Sequence, residues 1–118
     1  MRARFLSIGL LLAAGMLAGC AQPAKPLYYW DGYQAQLYEY LKNEGASPED
    51  QVRELEAQAL KARAADAALP PGFRAHLGVL YLRVGRGDEA RQQFEAEKAA
   101  FPEAAHYMDF LLKRMSKA

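Results

Sequence analysis

The chain has 118 residues, with 15 Lys and Arg against 14 Asp and Glu, so its formal net charge at pH 7 is +1. No run of basic residues forms the stripe that a phosphate backbone requires, and we therefore expect no nucleic-acid partner. The single cysteine excludes an intramolecular disulfide and a Cys-x-x-Cys metal or redox motif. A chain of this length has room for one domain with a modest core.

The first 19 residues have the pattern of a secretory signal peptide. Arg2 and Arg4 supply a basic start, and the 15 residues 5–19 carry no charge. This apolar stretch is shorter than the roughly 18–20 residues that span a bilayer, so we do not expect a permanent transmembrane helix. Cleavage is expected after Gly19.

Leu17-Ala18-Gly19-Cys20 resembles the lipobox of bacterial lipoproteins. The resemblance implies a diacylglyceryl group on the Cys20 sulfur and cleavage before this cysteine, whose new amine is often acylated. Each buried CH₂ contributes about 0.8 kcal/mol, so two or three acyl chains hold a protein at a membrane almost permanently. The alternative is an ordinary secreted protein in which Cys20 follows the cleavage site by chance. Ala21, where an Asp would favour inner-membrane retention, favours the outer membrane, facing the periplasm.

Residues 20–27 are then a lipid-anchored tether, and residues 28–118 a folded domain. The stretch AQPAKPL at 21–27 has two prolines and no helical period, which is typical of an extended linker. After residue 34, Ala, Leu, Glu, Gln and Arg dominate, and these residues favour helix.

The first predicted helix lies in an aromatic-rich stretch, residues 28–40. Asp31 is its candidate N-cap, and we expect the helix to end near residues 43–45. Its predicted apolar stripe follows helical spacing and consists of Trp30, Tyr33, Leu37, Tyr40 and Leu41.

A second helix is predicted to begin directly afterwards. Ser47 is the expected N-cap, Pro48 occupies the first helical position, and Asp50 is placed to return a bond to the cap. The helix should continue to about Ala67, before Leu69-Pro70-Pro71-Gly72 interrupts the pattern. Its predicted apolar positions are Val52, Leu55, Ala59 and either Ala62 or Arg63.

Residues 71–104 resemble a tetratricopeptide repeat. In this pattern, small residues at 78 and 90 let two antiparallel helices cross closely, and rings at 81 and 94 fill the space beside the crossing. Arg74 and Glu97 depart from the pattern, which usually has a large apolar residue and a small residue there. The positions that match are Leu77, Gly78, Tyr81, Ala90, Phe94 and Pro102.

A single repeat cannot bury its own faces, but its neighbours can complete it. Leu37, Tyr38 and Leu41 echo the repeat at an offset of 40 residues, so the first two helices form a degenerate hairpin. We therefore predict an all-α fold of about five helices, with two tetratricopeptide-like hairpins and a C-terminal capping helix at 103–115. The predicted apolar face of this last helix consists of Tyr107, Phe110, Leu111 and Met115.

Several motifs together are similar to one family of small bacterial lipoproteins, classed as domain of unknown function 4810. They are YYWDGY at 28–33, LY at 37–38, PPG at 70–72, FEAEK at 94–98 and MDFL at 108–111. The resemblance covers nearly the whole chain after Cys20. Members tend to occur beside a lipoprotein similar to the curli-secretion channel subunit, which implies a shared envelope assembly. The family supplies no catalytic residues.

Residues that could carry chemistry are sparse. His76 and His106 are the only histidines and are thirty residues apart, so a metal site would have to recruit carboxylates across the fold. We interpret both as ordinary histidines and Glu54 and Glu56 as part of a solvated helix face. No catalytic or phosphate-binding motif is present. We therefore expect no enzyme activity, no metal, no small-molecule substrate and no cofactor beyond the covalent lipid on Cys20.

Two surfaces are candidates for binding a protein partner. In tetratricopeptide geometry the concave face combines apolar and charged positions of the third and last helices. The alternatives are that the N-terminal helix covers this groove, or that tyrosines off the first stripe bind the partner. The concave candidates are Val79, Leu82, Arg83, His106, Asp109 and Lys113, and the alternative set is Tyr28, Tyr29 and Tyr38.

The function that these features favour is a protein–protein interaction scaffold or accessory subunit of a periplasmic or outer-membrane assembly. Its expected partners are other envelope proteins, including lipoproteins such as a curli-channel-like subunit. An alternative is a regulatory lipoprotein that activates a periplasmic enzyme such as a peptidoglycan synthase. An enzyme or small-ligand binder would instead need a closed pocket with convergent polar groups.

Overall fold

The computed structural model describes residues 1, 4–9, 23–43 and 45–117. Within these ranges the chain is mostly helical and forms no strand, which confirms the all-α prediction. None of the described helices is long and apolar enough to cross a membrane. Cys20 and most of the expected signal peptide lie outside the described residues. Residues 4–9 are helical, and the domain consists of α1 (Tyr33–Lys42), α2 (Pro48–Ala64), α3 (Phe73–Arg83), α4 (Gly87–Ala100), a 3-10 turn (Pro102–Ala104) and α5 (Ala105–Met115).

The start of α1 differs from the prediction. Gly32 occupies the N-cap position, and no side chain caps the helix. Asp31 has a left-handed φ of 27°, so it forms the turn before the helix instead of capping it. The predicted end is confirmed, because α1 stops at Lys42 and Asn43 adopts the left-handed conformation typical of a helix C-terminus.

The start of α2 follows the predicted capping chemistry. The Asp50 N–H donates to the Ser47 hydroxyl oxygen over 3.2 Å, and Pro48 opens the helix. Asp50 does not return a bond to the cap backbone but accepts one from the Ser47 hydroxyl over 3.0 Å. The helix ends at Ala64, earlier than expected, and Asp66 follows with a left-handed φ of 49°.

The hairpin of α3 and α4 forms the tightest packing in the domain. A Cβ built on Gly78 would lie 2.6 Å from Phe94 Cε1, so the helices approach more closely than any larger residue allows. Ala90 and Phe94 are fully buried, and Tyr81 is nearly so. The predicted close crossing of small residues beside large rings is therefore present in the structure.

Glu97 explains one departure from the repeat pattern. Its side chain is 2% exposed and accepts a hydrogen bond from the Gly72 N–H over 2.6 Å. Gly72 has a φ of 87° and is the N-cap of α3, where no side chain satisfies the helix. A carboxylate from the end of α4 therefore satisfies a donor at the start of α3, and the bond confirms that the two helices are antiparallel.

Helix α1 packs across α3 through aromatic contacts. Tyr33 is buried, and its ring centroid lies 5.3 Å from that of Phe73. The Tyr40 ring meets His76 edge-on at 4.8 Å. The predicted stripe is wrong at both ends, because Trp30 is 42% exposed and Leu41 is 72% exposed. The packed face is thus narrower than the aromatic content of the sequence indicates.

Two buried glutamines join α2 to the preceding chain. Gln58 Nε2 donates to the Trp30 carbonyl over 2.7 Å, and Gln51 Nε2 donates to the Gln36 carbonyl over 3.4 Å. Both glutamines are at least 96% buried beside the predicted Val52 and Leu55. Neither glutamine is among the predicted apolar positions of this helix.

Helix α5 packs with a face that only partly matches the predicted one. Met108 and Leu112 enter the core, and Leu111 and Met115 pack against it. Tyr107 and Phe110 are 57% and 49% exposed. The prediction of a buried Tyr107–Phe110 face is therefore wrong, because the helix is rotated so that 108 and 112 point inward.

Candidate functional site

The exposed face of α5 carries a compact aromatic and basic surface. The Tyr107 and Phe110 rings stack with their centroids 6.2 Å apart and an interplanar angle of 16°. The Arg114 guanidinium lies 5.6 Å from the centre of the Phe110 ring. His106 and Lys113 are also exposed and lie one helical turn before and after Phe110. We call these five residues the α5 surface.

The charge of the α5 surface is positive. Asp109 is exposed, but its carboxylate accepts a hydrogen bond from Lys98 Nζ of α4 over 2.6 Å. This carboxylate raises the pKa of the Lys98 ammonium. Lys113 and Arg114 have no ion-pair partner in the part of the chain that the structure describes. Three residues of this helix were predicted to bind a partner. His106 and Lys113 are available for such contacts, whereas the charge of Asp109 is neutralised by Lys98.

The predicted residues on α3 are less accessible. Val79 is half-buried against the core, whereas Leu82 remains exposed. The Arg83 guanidinium lies 4.5 Å from the centre of the Tyr40 ring of α1. Helix α1 thus covers part of this face, as the alternative interpretation anticipated. Helices α3 and α5 both pack against α4 and make little contact with each other.

The alternative tyrosine set does not share one environment. The Tyr28 ring contacts Trp30 and Phe101 with centroid distances of 6.3 and 6.0 Å, and Tyr28 pairs with Ala68 in an isolated bridge. The Tyr29 N–H donates to the Ala68 carbonyl over 2.7 Å. Tyr28 and Tyr29 therefore fix the N-terminal segment on the loop between α2 and α3.

Tyr38 is the exposed member of that set. It is 60% exposed on α1, and Lys42 Nζ lies 5.8 Å from the centre of its ring. No ring contact joins it to Tyr28 or Tyr29 among the described residues. Of the three tyrosines, Tyr38 alone presents its ring to solvent as a docking residue would.

A polar cluster links α2 to the turn between α3 and α4. The Tyr81 hydroxyl donates to Glu56 Oε1 over 2.7 Å, and Arg86 donates to the same oxygen over 2.9 Å. Burial, followed by the hydrogen bond to Glu56, raises the pKa of the Tyr81 hydroxyl. Arg86 also pairs with Glu89, which lowers the pKa of that carboxyl. Glu56, which was expected on a solvated face, has a side chain that is 37% exposed and that is also bonded to Tyr81 and Arg86.

The two histidines have different environments. His76 is 8% exposed, and its Nε2 has no hydrogen-bond partner within the described ranges. Burial lowers the pKa of His76, and the positive charge of Arg83 lowers it further. His106 is exposed on α5. Over the residues that the structure describes, no group of three or more His, Cys, Asp or Glu side chains is arranged to hold a metal ion.

The fold is thus an all-α domain whose most distinctive surface is aromatic and basic. A family model described as a domain of unknown function, DUF4810, matches residues 27–111. Because this match covers most of the chain, the protein belongs to the DUF4810 family. No curated protein and no solved structure matches it.

Proposed function

We propose that the protein is a lipid-anchored envelope scaffold, or an accessory subunit, that docks other envelope proteins through the α5 surface. The observation that carries this proposal is the exposed stack of Tyr107 and Phe110 on the terminal helix. The last helix of a repeat array normally has a polar outer face. An aromatic pair left in water there, with basic neighbours, has the composition of a protein interface.

The chemistry of the α5 surface favours an acidic partner. Phe110 and Tyr107 supply apolar area to be removed from water, and aromatic residues of this kind carry much of the binding energy at interfaces. Lys113 and Arg114 have no carboxylate partner among the residues that the structure describes, so acidic groups on the partner would speed association and fix its orientation. Arg83 and Leu82 on α3 are a second patch that a large partner would also contact.

The proposed architecture behind this surface is tetratricopeptide-like. Support comes from the close approach of Phe94 to Gly78 and from the three-residue connection between α3 and α4. The first hairpin is a degenerate repeat in this proposal, and α5 is the terminal helix. Partners that bind such arrays are commonly helices or extended peptides.

The proposed location is the outer membrane, on its periplasmic side, with the lipid on Cys20. Cys20→Ala should leave an unprocessed or mislocalised protein. The measurement is the intact mass of the wild-type chain from membranes, which should include acyl chains on a species that begins at residue 20. A wild-type mature protein without an acyl adduct would contradict the anchor.

The docking role is tested by co-purification from detergent-solubilised membranes. Tyr107→Ser with Phe110→Ser should reduce partner recovery by roughly tenfold or more, which corresponds to about 1.4 kcal/mol. The matched control is Leu41→Ser, which removes an exposed apolar side chain from α1. Equal recovery by wild type and the α5 variant would contradict the proposal.

The contribution of α3 is tested separately by charge reversal. Arg83→Glu with Lys113→Glu should leave folding intact, since both side chains are exposed. If Arg83→Glu alone weakens recovery, the partner reaches both patches. If only Lys113→Glu does so, the interface is confined to α5, and the predicted concave face is not a single site.

A further inference from the structure

A groove of about 960 Å³ lies between α2 and α4, away from the residues of the α5 surface. Its floor is formed by α3, where Phe73, Leu77 and Tyr81 are buried. Helices α2 and α4 flank α3 and make little contact with each other. The domain therefore leaves a channel above α3 that none of its described helices fills.

The α2 wall of this groove is a second helical stripe. Glu56, Ala59, Leu60 and Arg63 follow i, i+3, i+4 and i+7 spacing, and all of them line the groove. Leu60 is 65% exposed, although the adjacent stripe of α2 with Val52, Leu55 and Ala62 already supplies the core. The α2 part of the lining runs from residue 56 to residue 63, about two helical turns or roughly 11 Å, and residues 66–69 extend the lining beyond the end of the helix.

Small side chains leave room for a backbone to approach. Ala59 and Ala62 of α2 and Ala96 of α4 line the two walls, and Ala67 and Ala68 line the end of the groove. Two walls of alanine beside an apolar floor suit close packing of another helix, because helix axes approach most closely where side chains are small.

The charges in the groove are unevenly distributed. Arg63 of α2 and Arg74 of α3 line one end, and neither has an ion-pair or hydrogen-bond partner in the described part of the chain. Asp66 lies at the same end without pairing to either arginine. At the other end, Glu56 is already bonded to Tyr81 and Arg86. The groove thus has one end with two unpaired cations and one end whose carboxylate is satisfied.

The backbone of the groove selects a helix rather than an extended peptide. An extended peptide gains affinity by pairing with free backbone groups at a strand edge. Here the walls and floor are helices whose interior backbone groups are already bonded. The Ala68 carbonyl at the groove end accepts a bond from the Tyr29 N–H. The backbone groups of a bound helix are already hydrogen-bonded within the helix, so it can bind through side-chain contacts alone.

We propose that this groove binds a three-turn amphipathic helix of a partner protein, with carboxylates at the end that meets Arg63 and Arg74. The partner's apolar stripe packs on Leu60 and Leu69, above the buried Leu77. This site is separate from the α5 surface, so the protein has two docking surfaces and can join two partners. The inference extends the proposed scaffold role but does not require the α5 surface to bind.

The test is selection from a display library of three-turn helices with randomised surface positions. The bait is the full chain purified in detergent. Selected sequences should converge on a leucine stripe with Glu or Asp near one end. Their binding to Arg63→Glu with Arg74→Glu should fall at least tenfold, and binding to Leu60→Ala should also fall. The matched control is Arg91→Glu, an exposed charge of α4 outside the groove.

The outcomes separate this site from the other proposals. The inference is supported if the selected helices still bind the variant Lys113→Glu with Arg114→Glu but lose binding to the groove variant, Arg63→Glu with Arg74→Glu. This holds even if the α5 surface binds no partner. No enrichment of helices, or selected helices that bind the groove variant as tightly as wild type, would overturn it. A dimer in detergent that the groove variant converts to a monomer would mean that a second copy occupies the groove, and would also overturn it.

Discussion

The two helical hairpins of this domain are held together by different chemistry. In the α3–α4 hairpin, the buried Phe94 ring packs directly on Gly78, and this contact is apolar. In the α1–α2 hairpin, glutamine side chains of α2 bond to backbone carbonyls of the preceding chain, as Gln58 does to Trp30. Side-chain size therefore specifies the helix crossing of the α3–α4 hairpin, which the Glu97–Gly72 bond also joins, whereas two buried hydrogen bonds hold α2 to the chain before it.

This difference sets how each hairpin should respond to mutation. Apolar cores lose both transfer energy and packing when a large side chain is removed. A buried hydrogen bond contributes only about 0.5–1.5 kcal/mol net, although a lone buried donor or acceptor costs more. We therefore expect α3–α4 to be the stable unit and α1, which exposes Tyr38 and Leu41, to separate from it first.

The largest effect should come from removing the ring at the helix crossing. Phe94→Ala should lower the free energy of unfolding by about 3–5 kcal/mol, because Phe94 is fully buried and leaves a cavity. Denaturant titration followed by circular dichroism measures this change. The control is Phe110→Ala, whose ring is half in solvent and whose loss should cost far less. Similar losses for the two variants would mean that the core is not centred on this crossing.

The same crossing predicts energetic coupling between its two members. Gly78→Ala should destabilise the domain by about 1–3 kcal/mol, because its new Cβ would overlap the Phe94 ring. In Phe94→Leu the smaller side chain leaves room for that Cβ. The double variant should therefore lose less stability than the sum of the single variants. If the losses of the two single variants simply add up in the double variant, the Gly78–Phe94 contact is contradicted.

An intermediate loss of stability is expected when the Glu97 carboxylate, which joins the end of α4 to the start of α3, is removed. Glu97→Ala should cost about 1–3 kcal/mol, because the Gly72 N–H loses its acceptor. Glu97→Gln keeps an acceptor oxygen and should cost less. Thermal unfolding of both variants beside Glu95→Ala, an exposed neighbour, measures the difference. Equal stability of Glu97→Ala and Glu95→Ala would show that this bond contributes nothing.

A smaller effect should follow from cutting the polar link of the first hairpin. Gln58→Ala should cost about 1 kcal/mol, since the Trp30 carbonyl lies near the surface and water can replace the lost donor. Hydrogen exchange should increase in α1 and residues 28–30 but not in α3. Gln92→Ala, on the exposed side of α4, is the control. Uniform loss of protection across the domain would contradict the distinction between the two hairpins.

The smallest expected effect is a pH dependence of stability that arises at the His76–Tyr40 contact between the two hairpins. His76 packs against Tyr40, and burial lowers its pKa below that of the unfolded chain. The unfolded state therefore binds more protons as the pH falls through about 6.5, so stability decreases from pH 7 toward pH 5 by at most about 1.4 kcal/mol per unit. The free energy of unfolding of His76→Asn should lack this part of the slope. His106→Asn should retain it, because His106 is exposed.

The predictable part of the fold is the part that local sequence controls. Gly78 opposite Phe94 marks a close crossing that only small residues allow, and Ser47 followed by Pro48 starts a helix through its own side chain and ring. These features were confirmed because each depends on a few adjacent or regularly spaced residues. The C-terminal limit of α1 follows the same rule, because Asn43 readily adopts the left-handed conformation.

The unpredicted part depends on tertiary orientation. Spacing alone gave α5 an apolar face with Tyr107 and Phe110, but Met108 and Leu112 pack inward and leave the aromatic pair in solvent. Polar residues such as Gln58 and Glu97 enter the core because a distant backbone group needs a partner, and no local pattern contains that information. Of the proposed α5 surface, the sequence indicated His106 and Lys113 as candidates for partner binding, whereas the aromatic pair between them was assigned to the core.

The most direct test of the proposed docking role is site-specific photo-crosslinking in living cells. A photoreactive amino acid replaces Phe110 in one strain and Leu41, an exposed apolar position of α1, in another. We expect a covalent adduct with a second envelope protein from position 110, lost on Lys113→Glu with Arg114→Glu, and none from position 41. No protein adduct from position 110, or equal adducts from both positions, would contradict the assignment of α5 as the docking surface.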